Sequence, residues 1–544
     1  MTEHKNRTQR GIEDIINDAK KGNVLSLFLL SKYYKTGKYL EQKDEEKAEF
    51  YKQSVLDKSK EFKPFVRELQ LFDFRGITKG KITLNPNMNV IVGENGSGKT
   101  TIIEAICKSC SWISSLIENE KASGDHLKVD DINTSLDVKE SNLITTFDLN
   151  KDNLFTLQLS LAKKGMTSSN KSILEEVKLL SEIYRTLNTH DVKCSLPIFS
   201  YYSINRSYDI NTQCHNFKID SKVWEKTDGY ENALNDKYDF KVFIDWLVKQ
   251  EKIDIENGKF EKINANINEE KIKLKTLSDT LALLSTFDDD HEVKVTILND
   301  IKITSEKIEA LLNVKQSLDS KSAIVKNAIS QFINVDNIRT VDYLDYKKIL
   351  LDKLSTTIEV SQLSQGEKSL FSLVGDIARR LVLLNPNMGK NALLGSGVVI
   401  IDEIDLHLHP KWQQEVLTKL SEIFPNIQFI VTTHSPQILS TVKHNSIYII
   451  ENKDNSFTLK QPSFSLGSEA NMLLEDIFCI DSRPQMLEIV KELNEYKDLI
   501  KENAWESERA KYLYGKLKSW AGEHDPVMTE LDMDIRLRKK RMEK

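Results

Sequence analysis

MNVIVGENGSGKTTIIEAI, residues 88 to 106, decides the fold. A short apolar run ends at Val92, eight loop residues follow, and an apolar-periodic helix begins at once. The loop, Gly93-Glu94-Asn95-Gly96-Ser97-Gly98-Lys99-Thr100, is the full G-x-x-x-x-G-K-[ST] pattern in the strand–loop–helix setting that the pattern requires. Its glycines let backbone N–H groups wrap a phosphate chain, and Lys99 is expected to reach the β and γ phosphates. The Thr100 hydroxyl is the expected Mg²⁺ ligand, with Thr101 completing the nucleotide-contacting set.

A second phosphate-gripping stretch lies some 260 residues further on. TIEVSQLSQGEKSLFSLV, residues 357 to 374, carries Ser364, Gln365, Gly366 and Glu367 directly before an apolar helical run. Ser and Gly at a helix start present free N–H groups to an anion. Two further stretches carry chemistry. VVIIDE (398–403) reads as a strand buried on both faces that delivers Asp402 and Glu403 to its end. Asp402 there can hold Mg²⁺ through water, and Glu403 can polarise a water for attack on a γ-phosphate. Val431-Thr432-Thr433-His434-Ser435 ends another apolar strand with a histidine that could sense the γ-phosphate and orient that water; taken alone it reads as structural.

Bulk composition narrows the class. A chain of 544 residues with 40% apolar and 29% charged residues can bury several cores, and its net charge of −6 draws no nucleic acid onto it globally. The start, MTEHKNRTQRGIED, has no apolar export segment, and no run approaches a membrane span, so a cytoplasmic, membrane-free protein is expected. Five scattered cysteines make no disulfide framework; Cys107 and Cys110 read as ordinary helix thiols.

The α/β cassette has additions on every side. Residues 1–62 read as a helical hairpin, two short helices around a turn, similar to one tetratricopeptide-like unit that must pack on something. Strand-like periodicity from Lys63 opens a first ATPase lobe, 63–240. In 241–340, one apolar seam runs Ile263, Ile267, Leu274, Leu277, Leu281, Leu284, with Glu270 in one slot. A second runs Ile297, Ile301, Ile308, Leu311, Leu318, Val325, Ile329, interrupted by Thr304, Lys315 and Ser322. Spacings of 4 and 3 on both sides of the acidic turn TFDDDHEVK predict a short antiparallel coiled-coil arm. Residues 341–460 form the second lobe and 461–544 a helical C-terminal region. Its basic end, Arg536 to Arg541, fits nucleic-acid phosphates or a cation-capped, solvated helix terminus.

Phosphate loop, Leu-Ser-Gln-Gly-Glu, strand-end Asp-Glu and strand-end His, in this order, resemble the ABC-type P-loop ATPases. FRGI, DEIDLHLHPKWQ and TTHSPQIL are similar to their non-transporter RecF/SMC-like branch. The resemblance implies that Ser364, Gln365, Gly366 and Glu367 of one subunit close over ATP held by the phosphate loop of another. A homodimer with two composite sites follows, C₂ symmetry supplying both. It also gives Asp405 an inter-subunit coupling role. For the family's nucleotide-to-arm link, Gln158 is a candidate, while Arg206 could instead contact nucleotide; a core role fits each at least as well. The arm tip has no Cys for a zinc hook. Asp532 and Asp534 lie in a helical stretch without the strands of an appended metal nuclease, so the chain is expected to hydrolyse ATP and cut nothing.

The N-terminal hairpin, the inserted arm and the run WAGEHDPVMTELDMDIRLRKKR resemble the PtuA-type ATPases of Septu anti-phage systems, including forms carried beside retrons. That resemblance implies a separately encoded HNH nuclease partner and, in retron forms, a reverse transcriptase with its single-stranded DNA. The alternative is a RecF/SMC-like DNA-repair ATPase on duplex DNA.

Overall fold

A computed structural model describes residues 2–542 apart from 40–41, 136, 151–152, 192–193, 208–223, 236–239, 257–258, 284–291, 318–319, 344–345, 387, 454–455 and 523–524. The chain divides into two compact units, Met1–Leu466 and Gly467–Lys544.

Three helices open the first unit where two were expected: α1 (Thr2–Lys20), α2 (Val24–Thr36) and α3 (Glu45–Ser59). The expected turn at Gly22 stands, but the first helix extends back through polar residues whose periodicity is too weak to read. Asn23 caps α2 by accepting from the Ser26 amide, Gly37 closes it at φ +69°, and Asp44 caps α3. Tyr34 stacks on Tyr51 at 5.7 Å between centroids, zipping α2 to α3.

The first lobe follows as β1 (Phe65–Phe74), β2 (Ile77–Thr83), β3 (Met88–Val92), α4 (Lys99–Glu118), β4 (Glu140–Asp148), β5 (Leu154–Ala162), α5 (Glu175–His190) and β6 (Ile198–Tyr202). Helix α5 and the start of β5 receive the appendage: Lys32 pairs with Glu182 of α5 at 2.8 Å, and the Val24 amide donates to the Oδ1 of Asn153, just before β5.

Helices α6 (Phe240–Glu256), α7 (Lys259–Leu283), α8 (Glu292–Ser317) and α9 (Lys321–Ile333) occupy the expected arm segment. Only α7 and α8 pair along their lengths, so the arm is narrower than the sequence pattern suggests. Ile267, Thr304 and Ile308 are buried in its seam, and Glu270 meets Lys307 across it. Ser320 caps a new helix, α9, and the expected second seam breaks there. Val325 and Ile329 are buried in α9, which packs on α10 (Gln365–Leu384). Heptad spacing alone cannot tell a seam residue from a core residue once a short break restarts the helix. Leu284, Leu318 and most of the acidic tip lie outside the described residues.

Between α9 and α10 stands a small antiparallel sheet that the sequence reading lacked: β7 (Asp336–Tyr343), β8 (Tyr346–Lys353) and β9 (Thr356–Glu359). The second lobe is completed by β10 (Gly397–Ile401), α11 (Pro410–Ile423), β11 (Ile427–Thr432), α12 (Pro436–Leu439), β12 (Ile447–Lys453) and β13 (Ser456–Lys460).

Two sheets carry the head. One is antiparallel, ordered β2-β1-β4-β5; the other is ordered β13-β12-β3-β11-β10-β6, parallel from β12 to β6 with β13 as an antiparallel edge. Every residue of β10, β11 and β6 is buried, which is why their sequences are mostly apolar, with few polar residues such as Ser200, Gln428 and Thr432, rather than alternating. Helix α4 touches β4 of one sheet and β6 of the other, with Ile102, Ile103, Ile106 and Ile113 fully buried.

The second unit is helical: α13 (Ala470–Phe478), α14 (Glu488–Lys501), α15 (Glu508–Ala521) and α16 (Val527–Met542). Leu493, Tyr496, Ile500, Leu513 and Leu517 form its core. No helix among the described residues is long and apolar enough to cross a membrane.

Candidate functional site

Strands β3, β11 and β10 are neighbours and parallel, so their C-terminal ends open at one edge of the sheet. Ligands of open α/β sheets bind at such an edge. From β3 comes the loop Gly93–Thr100, from β10 Asp402 and Glu403, and from β11 Thr432, Thr433 and His434.

Within the loop, Gly98 adopts φ +103°, a conformation that disfavours any side chain. Glu94, Asn95 and Gly96 are exposed at its crest, Ser97 and Lys99 are buried, and Thr101 is half-buried. Lys99 folds back so that its Nζ donates to the carbonyls of Gly93 (2.9 Å) and Glu94 (3.0 Å). Burial pulls its pKa below the ordinary lysine value, against the opposing pull of Asp402, Glu403 and Asp405. A buried ammonium whose partners are two loop carbonyls is suited to exchange them for phosphate oxygens.

Thr100 Oγ1 donates to Asp402 Oδ2 at 3.3 Å, joining the start of α4 to the end of β10. Asp402 Oδ1 accepts from the Thr432 hydroxyl, whose oxygen in turn accepts from the Glu403 amide at 2.7 Å. Glu403 needs that support, because its φ of +47° is a left-handed conformation. The Ile404 amide donates to the Thr432 carbonyl at 3.0 Å and pins the same turn. Thr432 is therefore a positioning residue that motif reading passed over; its only signal was a hydroxyl where an apolar strand should end.

Asp405 Oδ1 accepts from the Thr433 hydroxyl at 2.7 Å and from the His434 amide at 3.4 Å, within its own chain. The Nε2 of His434 is buried without a hydrogen-bond partner among the described residues. Arg75, in the turn between β1 and β2, has φ +51° and pairs with Glu104 of α4 and with Asp131. The sequence reading quoted it but assigned it no contact.

The Ser364 segment starts α10. Ser364 and Glu367 form a capping box: the Ser364 hydroxyl accepts from the Glu367 amide, and the Glu367 carboxylate accepts from the Ser364 amide (3.1 Å) and hydroxyl (2.8 Å). Burial alone pushes the Glu367 carboxyl up, but Lys353 and Ser364 outweigh it and hold the group below its ordinary value. Ser364 and Gln365 are exposed. Gly366 lies so close to the chain after Glu403 that a Cβ there would sit 2.6 Å from the His407 carbonyl oxygen.

Gln158 sits mid-strand on β5, its amide group against Ser160 and its backbone paired with Ile173. The side chain of Arg206 lies outside the described residues. In the second unit, Asp532 accepts from Tyr514 and Asp534 pairs with Arg538, while Lys539 pairs with Glu506.

A family model described as an AAA ATPase domain matches residues 65–439. The chain is 31% identical to an Escherichia coli protein described as "Retron Ec83 probable ATPase", over 97% of both chains. It is 33% identical to the Vibrio cholerae "Retron Vc95 probable ATPase", over 91% of this chain and 95% of that one. The Septu protein PtuA of Bacillus mycoides is 28% identical over 43% of this chain and 34% of its own.

Proposed function

The chain belongs to the AAA ATPase domain family, among the retron-associated ATPases, and from that premise we propose that it works, like a PtuA-type ATPase, as a nucleotide-switched pair. In this reading two copies close head to tail, and each ATP is gripped by the loop Gly93–Thr100 of one copy and by Ser364, Gln365 and Gly366 of the other. The paired state controls a separately encoded HNH nuclease. In retron form the assembly also holds a reverse transcriptase and its single-stranded DNA. In this reading the chain itself cuts no nucleic acid.

One observation carries the reading. Lys99, Thr100, Asp402, Glu403 and His434 converge at the ends of three adjacent parallel strands, while Ser364 and Gln365 stand exposed at the start of another element. The donor set fits Mg²⁺: a hydroxyl and a carboxylate oxygen already lie 3.3 Å apart at Thr100 and Asp402. Bound Mg²⁺ would neutralise charge on the phosphate oxygens. Lys99 would hold the β and γ phosphates, and Glu403 would accept a proton from water as its oxygen attacks the γ-phosphorus and the bond to ADP breaks. The unpaired Nε2 of His434 would orient that water or contact the γ-phosphate.

Glu403→Gln tests this. Turnover is expected to fall at least about 100-fold, the range of a lost general base, with ATP binding kept. The variant should run as a dimer in ATP and recover a small HNH nuclease from its native neighbourhood. Unchanged turnover would refute the catalytic assignment. Recovery of duplex DNA with no partner protein would replace the defence reading by DNA repair.

A further inference from the structure

Strands β8 and β9 are joined by a two-residue turn, since Lys353 pairs directly with Thr356. Both turn residues are left-handed: Leu354 at φ +48° and Ser355 at φ +67°. Tight hairpins of this hand favour Asn-Gly or Asp-Gly, because a branched apolar side chain is strained there. Leu354 is also 90% exposed, the most exposed of the large apolar side chains among the described residues. It thus gains neither burial nor backbone ease within its own chain.

The tip's location narrows what it serves. Lys353, the last residue before the turn, pairs with Glu367, the carboxylate that closes the capping box on Ser364. Ser364 lies only a few residues beyond the end of β9, at the exposed start of α10. The hairpin and the Ser-Gln-Gly loop are therefore tied into one block, and any surface that closes over Ser364 meets the tip alongside it. Resting on the composite-site reading above, we propose that Leu354 is a contact of the ATP-dependent pair, seated against the phosphate-loop face of the second copy. The contact would offset the strain at Leu354, which burial within its own chain does not.

Opposite effects on folding and pairing test it, read in the Glu403→Gln background that holds ATP. Leu354→Asn removes the apolar group and suits the turn, so the melting temperature without nucleotide is expected to rise by about 1–2 °C. ATP-dependent dimerisation, followed by sedimentation, is expected to weaken by about tenfold or more, because two-fold symmetry uses the contact twice. Leu354→Met keeps the apolar group and the strain, and is expected to preserve both values. Unaltered dimerisation of Leu354→Asn would overturn the proposal while leaving the composite sites standing. Capture of the nuclease lost while the pair forms normally would overturn it in favour of that partner as the occupant. A parent that stays monomeric in ATP would overturn both readings.

Discussion

Asp376 shows how much this head invests in single buried charges. It is 1% exposed on α10, between Arg379 and Arg380, and accepts from Tyr202 at 2.8 Å. Burial pushes its carboxyl up, but Arg380 and Arg379 outweigh that and hold it at about 2. Its folded pKa is thus depressed, so its stabilising effect is present above the ordinary carboxyl value near 4 and is lost as pH falls toward 2. Asp376→Asn leaves two buried guanidinium groups without their anion and is expected to cost about 3–5 kcal/mol at pH 7, read by urea unfolding. The loss should shrink between pH 4 and pH 2. Thr432→Val tests the other buried hub: it strips the hydroxyl between Asp402 and the Glu403 amide but keeps the shape. Turnover should drop about tenfold with little change in KM, alongside a destabilisation of about 1–2 kcal/mol. Asp376 carries no motif signature, and the motif around Thr432 drew attention to His434 instead. Tyr202 and Asp376 are 174 residues apart, and nothing local marks them as partners.

At the scale of elements, helix α10 is fixed at its start by a capping box, by Lys353 from β8 and by close approach to the His407 carbonyl. Gly366 therefore has a role inside its own chain besides any contact with ATP. Gly366→Ala is expected to lower stability by about 1–3 kcal/mol even without nucleotide, since the His407 carbonyl that the new methyl would meet is backbone and cannot rotate away. A thermal melt of the nucleotide-free protein checks this, and an unchanged melt would mean that Gly366 acts only across the pair. The arm shows the reverse economy. Thr304 lies buried in its seam beside Ile301 and Ile308, and Glu270 meets Lys307 rather than an apolar knob. Polar residues at such positions give up stability for register.

For the whole molecule, the unit Gly467–Lys544 has its own core of Leu493, Tyr496, Ile500, Leu513 and Leu517. Each such side chain contributes about 1.5–3 kcal/mol when fully buried. Residues 467–544 expressed alone are therefore expected to show helical circular dichroism and a cooperative melt; a non-cooperative slope would show that they need the rest of the chain. What the sequence alone determined was the set of short-range patterns. Glycine spacing after an apolar strand and apolar runs identified the phosphate loop, the buried strands and the fold class, because each depends on residues within a turn or two. What only the tertiary structure decided was which of these meet. Sheet order brought β3, β11 and β10 side by side, put Thr432 between Asp402 and Glu403, and turned the end of the apparent arm seam into a helix packed on α10. Periodicity records which face of an element is apolar, but not which surface covers it. That choice rests on contacts hundreds of residues apart, and no local pattern encodes them.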